Sequence, residues 1–257
     1  PLVCGILVSL CSSLLGVSLV LKRYSMLGDG LSHVAFGSAA VALACGAAPL
    51  KVSVPVVIIA AFLLLRVSES GKIKGDAAIA LVSSSALAIG VTAATLTTGM
   101  NTDISNYMFG SILAMSREDV YVSVISAALV LTLYVLFYNK IFAVTFDDGF
   151  ARATGVHSGV YNTLLAVLTA VTVVVGMRMM GALLISSIIV FPALSSMRVC
   201  KRYKSVIVAS AVISVISFIT GLLLSFGYDV PTGSAVVLVN LVVFLALFGM
   251  GKMLKRE

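Results

Sequence analysis

The chain has 257 residues, of which 60% are hydrophobic and 11% charged, with a formal net charge of +7. A mean hydropathy of +1.17 excludes an ordinary soluble domain. The basic residues stand in short links between apolar runs, so the positive charge reads as membrane orientation, and nucleic acid is excluded as a partner.

An α-helical span needs about 20 apolar residues to cross a hydrocarbon core of roughly 30 Å. Nine segments fit, roughly 2–21, 29–48, 52–66, 76–98, 119–138, 159–177, 180–198, 205–226 and 232–251. The third is short and contains Pro55. The first lacks a basic leader and a clear cleavage site, so it reads as a true span and not a signal peptide. The chain begins at Pro1 without an initiator methionine, and a short N-terminal piece is expected to be missing.

Alternating the nine spans puts Lys22, Arg23, Arg66, Lys72, Lys74, Lys140, Arg152, Arg198, Lys201, Arg202, Lys204, Lys252, Lys255 and Arg256 on one side. Only Lys51, Arg117 and Arg178 fall on the other. This bias predicts an N-terminus outside and a C-terminus in the cytoplasm. With no tryptophan, tyrosine supplies the interfacial belt, and Tyr24, Tyr107, Tyr121, Tyr138, Tyr161, Tyr203 and Tyr228 fall near span ends. Cys4, Cys11, Cys45 and Cys200 show no ligand spacing and read as packed thiols.

The second apolar segment opens with Gly28-Asp29-Gly30-Leu31-Ser32-His33-Val34. On a helix, Asp29 and His33 share one face at i, i+4, and an oxygen and a nitrogen ligand one turn apart can hold a divalent first-row cation. Two plainer readings stay open at this point. Asp29 can cap a helix that begins at Gly30, and His33 can be a neutral core histidine on a backbone carbonyl.

Two links exceed what a simple connection needs. The outer one, about 99–118, contains an apolar stretch at 105–114 that is too short to span and reads either as an interfacial or re-entrant helix or as an ordinary loop with a surface helix. The cytoplasmic one, about 139–158, contains Asp147-Asp148-Gly149-Phe150-Ala151-Arg152-Ala153-Thr154-Gly155. Acidic residues at the start and a glycine after the last turn mark a short helix over 147–155. Its apolar edge at Phe150 has no cover within the chain, which calls for a partner protein.

The seventh span mixes small and hydroxyl residues with a deep proline. Ser186, Ser187 and Pro192 there suit a kinked helix bordering a translocation path, although close packing explains the same composition. Neither Gly71-Lys72 nor Gly251-Lys252 completes a phosphate-binding loop, and no catalytic constellation is evident. His157 reads as a solvated surface residue.

Four stretches resemble the permease subunits of bacterial ABC importers for zinc, manganese and iron. They are Met26-Leu27-Gly28-Asp29-Gly30-Leu31-Ser32-His33-Val34, Tyr107-Met108-Phe109-Gly110-Ser111-Ile112-Leu113, Gly181-Ala182-Leu183-Leu184-Ile185 continuing to Pro192-Ala193, and Asp229-Val230-Pro231-Thr232-Gly233. The resemblance implies an all-α polytopic protein of the type II ABC-importer kind, with residues 1–257 forming a single transmembrane permease domain in the bacterial inner membrane. It implies a dimer, formed with a second copy or a paralogue, two cytoplasmic ATPase subunits that use ATP, and an extracytoplasmic metal-binding protein that delivers the ion. The chain itself would be neither an enzyme nor the holder of a permanent cofactor.

By the same resemblance Asp29 and His33 belong to the metal pathway. Asp147, Asp148, Phe150, Ala151, Arg152 and Gly155 form the segment that couples to the ATPase. On charge alone, Arg117 and Arg178 on the outer side can pair with acidic residues of the binding protein or simply anchor span ends at the headgroups. Gly149 stands where relatives often carry a polar residue. Ser83-Ser84-Ser85 stands where some zinc-type relatives have a histidine nearby, which tilts the expected cargo toward manganese or iron. The rival classes are a secondary metal transporter driven by an ion gradient and a non-transporting scaffold or sensor.

Overall fold

The computed structural model describes residues 2–70, 75–97, 108, 110 and 117–254, and among them all regular structure is helical. In chain order the helices are α1 (Leu2–Leu21), α2 (Ser25–Ala44), α3 (Pro49–Ser70), α4 (Gly75–Leu96), α5 (Arg117–Leu136), α6 (Tyr138–Phe146), α7 (Asp148–Ala153), α8 (Ser158–Met180), α9 (Ala182–Val199), α10 (Tyr203–Tyr228) and α11 (Thr232–Leu254). Nine of these described helices are long and apolar enough to cross a membrane, the exceptions being α6 and α7.

Apolar side chains gain nothing from leaving lipid for a helix interface, so close packing and hydrogen bonds must hold the bundle together. The register of α1 against its neighbours shows how. Cys4 Sγ meets the Val120 carbonyl at 3.7 Å, Cys11 Sγ the Ala127 carbonyl at 3.5 Å, and Ser18 Oγ the Tyr134 hydroxyl at 3.3 Å. Each step is seven residues on both helices, so α1 and α5 run parallel with two-turn periodicity.

Against α10 the order reverses. Ser214 Oγ donates to the Ser9 carbonyl at 3.0 Å, Ser210 Oγ reaches the Ser13 carbonyl at 3.4 Å, and Gly5 abuts the Phe218 ring, so this pair is antiparallel. In the same way Gly30 packs on Ile79 and Gly37 on Ala86, which makes α2 and α4 parallel, again in steps of seven. Both parallel pairs join helices separated by an even number of crossings, as nine alternating spans require.

Helices α1, α2 and α8 are each two-thirds buried, whereas α4 and α11 are only 22% buried and form the flanks. Many of the serines that look anomalous in an apolar helix are satisfied locally. Ser12 donates to the Val8 carbonyl at 2.8 Å and Ser187 to the Leu184 carbonyl at 2.9 Å.

Several boundaries differ from the sequence reading. α2 begins at Ser25, four residues before Asp29, with Tyr24 as its N-cap, so Asp29 lies inside the helix and is not its cap. α3 extends over 22 residues and absorbs Pro55, where hydropathy predicts only 52–66. The fifth span stops at Leu136, and the following link folds as a separate helix, α6, which hydropathy does not separate from the span. Its buried residues are Ile141, Val144 and Thr145. Cys4 and Cys11 are buried as expected, whereas Cys45 is exposed at the end of α2. The segment expected to re-enter at 105–114 lies outside the described residues except for Met108 and Gly110.

Candidate metal-transit and coupling sites

By the 1.5 Å rise of a helix, Asp29 and His33 stand about 6 and 12 Å along α2 from its start. The glycines flanking Asp29 seat the helix. A Cβ at Gly28 would come within 2.8 Å of the Ile189 side chain, and one at Gly30 within 2.6 Å of Ile79. α2 is therefore clasped between α9 and α4, and the pair projects from the face left over. The Asp29 and His33 side chains are 43% and 23% exposed, and Asp29 Oδ2 stands 3.7 Å from His33 Nε2.

That separation is too long for a hydrogen bond. Two ligands each about 2.1 Å from a tetrahedral ion stand about 3.4 Å apart, so the pair needs only a small adjustment to share a cation. No cluster of three or more His, Cys, Asp or Glu side chains that could hold a metal occurs among the described residues. The pair offers an open two-ligand site, which suits an ion in transit better than one held permanently. Ser32, between the two, donates to the Asp29 carbonyl at 2.7 Å and is occupied there.

In α9, Ser187 and Pro192 are buried and Ser186 is partly exposed, with its hydroxyl bonded to the Leu183 carbonyl at 3.1 Å. Gly181 is the N-cap of this helix, and its φ of +83° ends α8 and turns the chain. Gly110, also at positive φ, lies directly against the Met180–Gly181 backbone, with no room for a side chain. Two of the stretches that carry the family resemblance thus meet backbone to backbone, something their sequence separation conceals.

The second assembly lies at the end of the bundle where most basic residues gather. Asp147 accepts the Phe150 N–H at 2.9 Å and caps α7. Gly155, at φ +81°, closes the other end, with the Val156 N–H on the Ala151 carbonyl at 2.9 Å and the Gly155 N–H on the Arg152 carbonyl at 3.0 Å. Ala151 is buried beneath the helix, while Phe150 is 66% exposed. Arg152 Nε donates to Ser158 Oγ at 2.7 Å and ties α7 to α8.

Asp148 turns inward to Lys22 Nζ at 3.3 Å. The same ammonium donates to the Val144 carbonyl at 2.9 Å and to Asn162 Oδ1 at 2.5 Å, while Asn162 Nδ2 donates to Asp148 Oδ2 at 3.4 Å. From sequence Lys22 reads only as a topology charge, and nothing there singles out Asn162. Beside this network, Phe142, Phe146 and Tyr203 pack their rings within 5.5 Å of one another. Burial, and the neighbouring Tyr203, raise the Tyr138 phenol above its ordinary value. A cleft of about 800 Å³, lined in part by Phe62, Arg66, Arg152 and the exposed His157, opens on the flank of α7.

At the opposite end Arg178 Nη1 pairs with Asp119 Oδ1 at 2.8 Å, joining α8 to α5. The side chain of Arg117 lies outside the described residues.

Residues 1–251 match the model of the ABC 3 transport family. The chain belongs to that family. It is 29% identical to the manganese transport system membrane protein MntC of Halalkalibacterium halodurans, covering 96% of this chain and 85% of that one. It is equally 29% identical to the high-affinity zinc uptake system membrane protein ZnuB of Haemophilus influenzae, covering 96% and 95%. Among solved structures it resembles PsaBC from Streptococcus pneumoniae in complex with Fab, with a TM-score of 0.86 and 28% identity over 96% of this chain and 89% of that one. This ABC 3 family member is accordingly a multi-pass membrane transport subunit with an all-helical permease fold.

Proposed function

We propose that the chain is the permease subunit of an ATP-driven importer of divalent transition-metal ions, working in the inner membrane of a bacterium. The observation that carries this reading is the Asp29–His33 pair, part-exposed within α2, a helix long and apolar enough to span a membrane. A carboxylate beside hydrocarbon is too costly to face lipid, so that surface must line a polar path or meet a second protein surface. A facing copy or paralogue would supply both, and two such pairs would make a four-ligand site that opens when the subunits move.

Manganese or iron suits this site better than zinc. One carboxylate and one imidazole per subunit, without a thiolate, form the harder ligand set. Relatives named for manganese and for zinc are equally similar overall, and the preference for manganese or iron rests on the ligand set alone.

The ATPase partner docks on α7 and its surroundings. Phe150 and Phe146 are exposed at the basic end of the bundle, beyond the spanning segments, where lipid does not cover them. The delivering protein binds the opposite end, where Arg117 and Arg178 stand. The bundle then alternates between outward and inward access as ATP is consumed by the partner. Purified permease, ATPase and binding protein, reconstituted in liposomes, should take up radiolabelled Mn²⁺ only with ATP inside the compartment that holds the ATPase. Uptake by the lone permease under a proton or sodium gradient would instead establish a secondary transporter.

A further inference from the structure

We infer that Lys22 is the positioning residue that links the partner-facing helix α7 to the ion-binding face of α2, so that motion of one is passed to the other. The inference rests on the permease reading above and adds to it a specific mechanical connection.

Three observations carry it. First, the Lys22 side chain is only 7% exposed, and its ammonium takes acceptors from three consecutive elements: Val144 of α6, Asp148 of α7 and Asn162 of α8. A cation whose side chain is only 7% exposed ties its three acceptors together, since moving any one of them strips a hydrogen bond from a largely desolvated charge, while the Asp148 carboxylate stays 41% exposed at the surface. Asn162 is itself buried and contacts both members of the ion pair, which closes the network.

Second, Lys22 sits where α1 ends in a tightly bonded turn. The Arg23 N–H bonds the Val20 carbonyl at 3.1 Å and the Tyr24 N–H bonds the Leu19 carbonyl at 2.8 Å, the paired bonds of a Schellman motif. Arg23 occupies the left-handed position at φ +62°, usually given to glycine. α2 starts two residues later, and the Leu27 N–H bonds the Tyr24 carbonyl at 3.0 Å. The turn has no slack to absorb a displacement of Lys22.

Third, the helix that follows carries Asp29 and His33 within its first nine residues. It is also seated by glycines on Ile189 and Ile79, so a push at its start must tilt or slide it between α9 and α4. A displacement of α7 by its partner would therefore reach the ligand pair through Asp148, Lys22 and the α1–α2 turn.

The test uses the reconstituted complex of permease, ATPase and binding protein, with ATP hydrolysis and Mn²⁺ uptake measured in the same vesicles. The Lys22→Met complex should assemble and hydrolyse ATP while the ions moved per ATP fall at least about tenfold, and Lys22→Arg, which keeps the cation, should recover most of that ratio. Lys22→Gln, which keeps a hydrogen-bonding end without the charge, gives the same uncoupling if Lys22→Met fails to fold. Hydrogen exchange on the wild-type and variant permeases supplies a readout independent of transport. Amides of α7 and of residues 24–29 should lose protection together. An unchanged ratio of ions to ATP in an assembled variant, or loosening confined to α7, would overturn the inference. A wild-type complex with no ATP-driven uptake would instead contradict the permease reading, leaving the exchange experiment to decide the linkage.

Discussion

The Ile189 carbonyl oxygen of α9 occupies the space that a Cβ on Gly16 of α1 would need. The two helices meet backbone to backbone, three residues before Pro192. Close approach of this kind maximises dispersion contacts in a membrane, where burial alone gives no gain. Gly16→Ala should force α1 and α9 apart and cost about 1–3 kcal/mol. A lower melting temperature in detergent, with the other α1 contacts weakened, is the expected outcome, and an unchanged melting temperature would show that the interface has slack.

In α7 the side chains that hold the fold and those proposed to meet the partner are different residues. Phe150 is exposed and Ala151 buried on the same six-residue helix. Phe150→Ala should leave the permease as stable as the wild type yet weaken ATPase binding by about 2 kcal/mol or more, roughly thirtyfold, as for a central aromatic of an interface. Ala151→Leu should do the reverse, displacing α7 and lowering thermal stability. Titrating ATPase onto each variant in nanodiscs, beside a melting curve, checks both.

Asp147 offers a milder perturbation. Its carboxylate satisfies one otherwise unpaired N–H of α7 at 2.9 Å, and replacing it by alanine should cost about 1 kcal/mol locally. In so short a helix that is enough to raise hydrogen exchange at Phe150 and its neighbours. Exchange unchanged from wild type would mean that contacts to α6 and α8 hold α7 without its cap.

Arg178 and Asp119 join the far ends of α8 and α5 at 2.8 Å, with Asp119 mostly buried. Arg178→Ala should destabilise the bundle by about 1–3 kcal/mol through loss of a partner to that carboxylate. The exchange of the two charges should restore part of the loss. Full stability in Arg178→Ala, with weaker docking of the binding protein, would show that the guanidinium serves the surface and not the fold.

Eight of the nine candidate spans were legible because the apolar run is about 20 residues long and announces a span by hydropathy alone, whereas the third read short at 52–66 and the helix extends past it at both ends. The ends of α7 were legible too, since Asp147 and Gly155 act through local bonds that residue type announces. The start of α2 was not. Asp29 resembles an N-cap, but burial of Leu27 and Gly28 against the bundle extends the helix back to Ser25. α6 was hidden because Phe137 breaks the chain between two apolar stretches with neither proline nor glycine to mark it.

Lys22 was invisible for a different reason. Its acceptors lie 122, 126 and 140 residues away, and no local pattern encodes such a meeting. The i, i+4 spacing of Asp29 and His33 was readable at once, yet their part-exposure, which calls for a second surface, needed the packed bundle.

The central claim is that Asp29 and His33 handle the ion. The most direct measurement is ATP-dependent Mn²⁺ uptake by the reconstituted complex carrying Asp29→Asn or His33→Ala, with assembly and ATP hydrolysis measured in parallel. Loss of one ligand from a site with so few should lower uptake by roughly 10–100-fold while the complex still assembles. Uptake at the wild-type rate in both variants would contradict the claim and place the path elsewhere in the bundle.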